Sequence, residues 1–411
     1  MDVNVKRTVP IEFKWVVDAY GKVRQGGKAS GIDGESWEAF EANVQDNLYV
    51  IWNRLSSGSY HPQAVRKVEI PKKDGSLRKL GIPTLRDRIA QQVVKTYMEN
   101  RIDVIFHKDS YGYRPMKSAH QAVKTIMSNC YKYDWVIDLD ISNFFDEIDH
   151  ELMLRAVGHV LEERWVSLYV KRWLEMPVQA KAGEVHAKGG KGTPQGGVIS
   201  PLLSNLYLHF TLDKWLEKAY PEVRFVRYAD DVVIHCRSKE EASEVLRAIK
   251  ERLGVVRLSI KESKTKITYC RDYRRKQAET AVSFDFLGFS FRPERMQSKH
   301  GGYFTGFGMD MSSSSQKQVN DSIRTERSLS NSTLEAGAIA DRLNAKLRGW
   351  INYYGIAGNR GGLYRVMMGL NNRLIKWVKK KYKLSLRKAI LKLGTIRQGN
   401  PTLFYHWQKG F

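Results

Sequence analysis

Tyr228-Ala229-Asp230-Asp231 lies between two apolar runs, Phe225-Val226 before it and Val232-Val233-Ile234 after it. Strand-forming residues around a short polar break predict a β-hairpin, and Asp tolerates the backbone angles of a tight turn. Two adjacent carboxylates are then carried at the hairpin tip. Side chains alternate faces along a strand, so only one of the pair points squarely at a shared ligand. Asp230, directly after the small Ala229, is the better placed, and Asp231 is the weaker partner. Adjacent acids in a turn are most often merely solvated, so the hairpin needs a second carboxylate site before it implies chemistry.

That second site lies upstream. In Trp135-Val136-Ile137-Asp138-Leu139-Asp140-Ile141, apolar residues at 135, 137, 139 and 141 alternate with Val136, Asp138 and Asp140, which is strand periodicity with both acids on one face. Residues 142–150 then turn into a helix with Phe144-Phe145 near its start. Residues two apart share a face, so alternation leaves open which of Asp138 and Asp140 is a ligand.

Composition points to a nucleic-acid partner. The 411 residues carry 68 Lys+Arg against 44 Asp+Glu, a net charge of +24, which favours counterion release on a phosphate backbone. A ribosomal or membrane-surface protein would share that charge. An aromatic share of 11% excludes a disordered basic tail. Cys130, Cys236 and Cys270 are too dispersed for a zinc knuckle and fit a reducing compartment. The N-terminus has no apolar signal region, and no apolar run is long enough to span a membrane. A bacterial cytoplasm is the natural expectation.

The ordered blocks of this chain resemble the reverse transcriptases encoded by group II introns. They are residues 27–34 (Gly-Lys-Ala-Ser-Gly-Ile-Asp-Gly), 68–83 around Lys73-Asp74-Gly75-Ser76, 110–115 (Ser-Tyr-Gly-Tyr-Arg-Pro), and the Asp140 strand. Residues 192–201 (Gly-Thr-Pro-Gln-Gly-Gly-Val-Ile-Ser-Pro), the Asp230 hairpin, 261–265, Phe286-Leu287-Gly288-Phe289 and 347–354 (Leu-Arg-Gly-Trp-Ile-Asn-Tyr-Tyr) complete the series. The resemblance implies an α+β right-hand polymerase, fingers and palm with antiparallel sheet, followed by an α-helical thumb or maturase domain. Expected boundaries are an N-terminal RNA-binding helical extension to 64, fingers at 65–135, palm at 136–292, a Ser-rich linker or flexible loop at 293–332, and helices from 333 to 411.

In this family the metal-binding Asp lies five residues before the second Phe of the pair, which selects Asp140. With Ile141, Asp230 and Asp231 it would hold two Mg²⁺ ions about 3.5 to 4 Å apart, with Mn²⁺ a possible substitute. Lys72 and Arg78 are implied as triphosphate contacts, Phe145 as the bulky residue under the sugar that selects dNTPs, and Gln195 and Arg114 as further nucleotide contacts. Lys264 is implied as the general acid for pyrophosphate. Gly31, Gly196, Gly197, Tyr228, Lys376, Lys379, Lys380 and Lys381 are expected against nucleic acid. Expected partners are intron RNA, an RNA template with DNA primer, target DNA and dNTPs, the protein acting as monomer or homodimer without a membrane. No cysteine lies beyond 270, so a Cys-rich endonuclease module is not expected. Two alternatives stay open: a splicing-only maturase with a vestigial polymerase, and a reverse transcriptase serving defence or repair.

Overall fold

The structure, a computed structural model, describes residues 9–71, 77–179, 183–298, 300–358 and 360–411. Three helices come first, α1 (Phe13–Arg24), α2 (Trp37–Glu41) and α3 (Val44–Ser56). Their apolar residues recur at helical spacing, burying Val16, Ala19 and Val23 on α1 and Leu48, Ile51 and Leu55 on α3. Next come β1 (Val65–Pro71), β2 (Leu77–Ile82) and α4 (Leu85–Ile102), the last opened by Thr84, whose hydroxyl accepts the Asp87 N–H at 3.1 Å. The chain continues through α5 (Ala119–Cys130), β3 (Trp135–Asp140), α6 (Phe144–Glu147), α7 (His150–Val160), α8 (Arg164–Leu174), β4 (Val178–Gln179) and β5 (Val185–His186). Then follow α9 (Ser200–Leu208), α10 (Lys214–Ala219), β6 (Arg224–Tyr228), β7 (Asp231–Cys236), α11 (Lys239–Val255), β8 (Lys266–Tyr269) and β9 (Phe284–Phe286). Last are β10 (Phe289–Gln297), β11 (Tyr303–Met311), α12 (Ser313–Arg324), α13 (Ala336–Tyr354), α14 (Gly361–Lys381), α15 (Leu386–Gly399) and α16 (Tyr405–Gln408).

The strands make sheets ordered β2-β1-β4-β5, β6-β7-β3-β8 and β11-β10-β9. Pairing is antiparallel for β1 with β2 and for β3 with β8, and parallel only where β1 meets β4 among the pairs described. The α+β expectation holds. Among the described residues no helix is long and apolar enough to cross a membrane.

Two compact units are distinguished, and they cut across the expected boundaries: Met1–Ser118 with Leu139–Ile234 and Ser243–Thr265, and Ala119–Asp138 with His235–Ala242 and Lys266–Phe411. Within the second, residues 293–332 are not the linker expected from composition. β10 and β11 pair from Phe289↔Met311 to Gln297↔Tyr303, and α12 follows at once. The serines that read as linker open that helix: the Ser312 hydroxyl accepts the Ser315 N–H at 3.2 Å. The helical part of this unit packs around Leu343, Leu347, Leu370, Leu374 and Trp377, with Leu393 and Trp407 closing the cluster. Along α13, Ile339, Leu343 and Leu347 are fully buried, while Trp350 and Tyr354 pack on the edge. Two of the sequence blocks meet here. Leu287 and Gly288, with φ of 49° and 80°, form the two-residue turn between β9 and β10, and the Tyr353 hydroxyl donates to the Leu287 carbonyl at 2.9 Å.

Candidate active site

The site belongs to the first unit. β6 and β7 make the hairpin read from the sequence, with Ala229 and Asp230 as its turn. Ala229 takes φ 58°, a left-handed conformation that a residue with a Cβ rarely adopts, so something must hold it there. Arg227 does so: one terminal nitrogen of its guanidinium, Nη1, donates to the Ala229 carbonyl at 3.0 Å and to the Asn205 side-chain oxygen at 2.9 Å. Two others engage Asp213 at 2.8 and 2.6 Å, and both partners are 0% exposed. Asp213 reaches this position at the end of a π-helical turn, His209–Asp213, that joins α9 to α10. Gly112 covers the hairpin from outside, because a Cβ there would lie 2.3 Å from the Ala229 nitrogen. The neighbouring Tyr113 ring lies over Tyr228, centroids 6.4 Å apart.

Asp140 ends β3. Its carbonyl accepts the Lys261 N–H at 2.7 Å and its N–H donates to the Thr265 hydroxyl at 3.3 Å. The Asp140 carboxylate, about a third exposed, faces the Lys264 ammonium at 3.5 Å. Burial raises the Asp230 carboxyl above its ordinary range; Asp140 adds to the rise, and Arg78 and Arg227 oppose it. Asp231 is exposed as a residue, yet protein crowds its carboxyl. That crowding first, then the charges of Asp230 and Asp140, push its carboxyl up to about 6, against the pull of Lys264 and Arg78. The three acids thus form one electrostatic cluster whose mutual repulsion and burial outweigh the pull of Lys264, Arg78 and Arg227 on Asp230 and Asp231. Among the described residues no three His, Cys, Asp or Glu side chains close a metal site unaided. An all-oxygen set of this kind fits a hard divalent cation completed by water and substrate phosphate.

Around the cluster, Arg78 donates to the Gln195 side chain at 2.9 Å, and the Gly81 N–H donates to the Gln195 carbonyl at 2.7 Å. Gly196, exposed at φ 115°, lies so close to β2 that a Cβ would meet the Gly81 carbonyl oxygen at 2.8 Å. Phe145 is buried against Phe144, centroids 5.4 Å apart, and its carbonyl accepts the Thr193 N–H at 2.8 Å. That bond ties the aromatic pair to the 192–197 loop. Ile141 is buried and bridges Ile260, so only its main-chain carbonyl has the chemistry to touch a cation. Lys72 lies outside the described residues.

Four expectations need correction. Arg114 is 7% exposed, and its donors are spent on Asp103 and on the carbonyls of His107 and Ser110. It braces its own segment and offers no N–H to a nucleotide. Gly31 is buried with its α-carbon against the Thr84 backbone, where a Cβ would fall at 2.6 Å. Gly197 is likewise buried, beside the Ser200 hydroxyl. Both are glycines for packing and not for nucleic acid. In the second unit, Lys381 is 12% exposed and donates to the Leu334 carbonyl and the Glu335 carboxylate at 3.0 and 2.6 Å. Lys380 reaches the Ser330 carbonyl at 3.1 Å, and Lys376 and Lys379 are exposed on α14.

Sequence reasoning missed the bracing of the hairpin, namely Arg227, Asp213, Asn205 and Gly112. One signal was available. Arg227 shares the inward face of β6 with Phe225, and a charge at such a position demands a buried partner. Which of the acids answers it depends on the π-helical turn, which leaves no mark in composition.

Residues 70–291 match the family model for the reverse transcriptase (RNA-dependent DNA polymerase), and residues 316–394 match the group II intron, maturase-specific domain. Protein YkfC of Escherichia coli K12 is 33% identical over 67% of this chain and 79% of its own length. The group II intron-encoded protein LtrA of Lactococcus lactis subsp. cremoris is 26% identical over 89% of this chain and 72% of its own. Among solved structures, the apo telomerase from Candida tropicalis superposes with a TM-score of 0.46 at 12% identity, over 56% of this chain and 47% of that one.

Proposed function

The chain belongs to the reverse transcriptase family, with a group II intron maturase-specific domain C-terminal to the polymerase, and on that premise we propose that Asp140, Asp230 and Asp231 are the carboxylates that hold its divalent metal. The protein is an RNA-directed DNA polymerase and maturase whose domains act on intron RNA and on nucleic-acid substrates. Reverse transcriptases use divalent metal ions. Mg²⁺, as a pair of ions with Mn²⁺ a possible substitute, is the reading adopted for this site. The observation that carries it is the cluster itself: three acids, one on β3 and two on the hairpin, close enough that Asp140 and Asp230 raise the Asp231 carboxyl and Asp140 raises that of Asp230, with Lys264, Arg78 and Arg227 as the opposing cations among the described residues.

Bound there, such ions would supply neutralisation of the triphosphate and activation of the primer 3′-hydroxyl. The chain's own groups do the positioning. The buried Arg227–Asp213 pair fixes the hairpin, and Thr265 and Lys261 fix the backbone of Asp140, so the acids are preorganised. The Ile141 carbonyl joins them. Arg78, aimed by Gln195, and Lys72 with it, bind phosphate oxygens of the incoming dNTP. Lys264 hands a proton to departing pyrophosphate. Phe145 closes the space beneath the sugar and admits dNTPs over rNTPs. Exposed Gly196 and half-buried Tyr228 face the template with its DNA primer. The α14 lysines Lys376 and Lys379, and Lys380 in part, grip intron RNA by its phosphates. Target DNA is the substrate that follows from copying an intron into a new site.

The test is primer extension on a structured RNA template with dNTPs and Mg²⁺, with intron splicing scored in parallel at low Mg²⁺. Asp230→Asn should abolish extension and leave RNA binding intact. Extension at wild-type rate by that variant would remove Asp230 from the site.

A further inference from the structure

We propose that a cleft of about 160 Å³ between the β1–β2 hairpin and the 187–195 loop is a phosphate-binding site, built by Lys67, Lys79, Lys188 and Lys191. One acid, Asp146, also lines it. Lys67 pairs with Glu69 at 3.3 Å and Lys191 with Glu147 at 2.8 Å, so two of the four lysines are partly answered. Lys188 is not: its ammonium is buried and has no hydrogen-bond partner among the described residues. Burial pushes it down to about 7, and Asp146 pulls it back up. A buried, unpartnered ammonium is costly, and a doubly negative oxygen-rich group would satisfy it. A phosphate offers that charge together with several acceptor oxygens for the neighbouring lysines.

The loop is shaped for the task. In Lys188-Gly189-Gly190-Lys191-Gly192 the three glycines have φ of 62°, 82° and 85°, which brings both lysines to one cleft through a tight path that side chains would strain. The path is fixed and not slack. The His150 N–H donates to the Gly190 carbonyl at 3.1 Å, and the Gly192 N–H donates to the Ile148 carbonyl at 2.8 Å. A Cβ on Gly192 would lie 2.9 Å from the Asp146 carbonyl oxygen. The cleft is therefore preorganised beside Gln195, which also lines it.

The carrier of the phosphate rests on the polymerase reading: either the backbone of the bound template and primer, or a phosphate of the nucleotide. Lys188→Met keeps the aliphatic stem and removes only the charge. Without ligand its melting temperature should rise, because an unpaired buried ammonium is gone. Equilibrium binding to a primer–template, followed without dNTPs across a salt series, should weaken about tenfold, with the slope of log K against log salt falling by about one. That result assigns the site to a backbone phosphate. A raised KM for dNTP with unchanged primer–template affinity and salt slope assigns it to the nucleotide. A lower melting temperature would make Lys188 a structural donor and overturn the site, as would a stabilised variant whose affinity, slope and KM all match wild type. Wild-type extension on the same primer–template is scored beside these, so that its absence reports failure of the polymerase reading and not of the cleft.

Discussion

At the scale of single residues, the metal role proposed for the hairpin acids comes with a cost in stability. Asp231 ionises near 6 in the folded protein, whereas an unfolded Asp ionises near about 4. Below pH 4 both states are protonated and no cost arises. As pH rises from 4 to 6 the unfolded chain loses its proton first, so folding stability falls, and above 6 the deficit is constant. Asp231→Asn should therefore raise the stability of the metal-free protein at pH 7.5 by roughly 1 kcal/mol, the full shift being reduced by solvent screening at this exposed residue. Urea denaturation at pH 7.5 and at pH 4 checks this; a gain that persists at pH 4 would point to packing instead. Phe145 makes a second case. Its burial against Phe144 suits a rigid wall under a sugar, so Phe145→Ala should raise rNTP incorporation in single-nucleotide extension. Unchanged discrimination would leave it an ordinary core residue. Residue types and spacing picked out the Asp230 hairpin and the strand that carries Asp138 and Asp140, while the family resemblance supplied the choice of Asp140 and the role expected of Phe145. Neither could separate Arg78 from Arg114, because whether a guanidinium is free or spent on local carbonyls is decided by tertiary contacts.

At the scale of elements, the β6–β7 hairpin is a strained turn held by a buried charge pair. Arg227→Met would strand the Asp213 carboxylate, fully buried, and is expected to cost about 3–5 kcal/mol. Arg227→Met with Asp213→Leu should recover much of that loss while still lacking the hydrogen bond to the Ala229 carbonyl. Thermal unfolding of the two variants measures the pair. Primer extension by the double variant then isolates positioning: a stable protein with slow extension and near-normal RNA binding is the expected outcome, and wild-type extension would mean that the turn holds itself. Alternation located β3, whereas the hairpin was located by apolar runs on either side of a short polar break, its strands being buried along most of their length. Composition misread residues 293–332, where Ser312–Ser315 cap a helix and β10 pairs along its whole length with β11. Ser serves caps and linkers equally, and only the partner strand distinguishes them.

At the scale of the whole molecule, a net charge of +24 promises phosphate binding without saying which lysines provide it. On α14 the structure divides them by whether the ammonium already has a partner. Lys376 and Lys379 stand exposed, Lys380 reaches the Ser330 carbonyl, and Lys381 is consumed by Leu334 and Glu335 at the start of α13. Each lysine that meets a phosphate of single-stranded RNA contributes about 0.7 to the slope of log K against log salt. Neutralising Lys376 and Lys379 together should thus flatten the slope for intron RNA by about 1.4, with little change in melting temperature. Lys381→Gln should do the reverse, leaving the slope alone and lowering the melting temperature, because it loses a helix-to-helix tie and no phosphate contact. Filter binding of intron RNA from 50 to 500 mM salt, alongside thermal unfolding of the same variants, separates the two kinds of lysine. An equal slope change for Lys381→Gln would show that its pairing opens when RNA arrives and that the charge of this face acts as one reservoir.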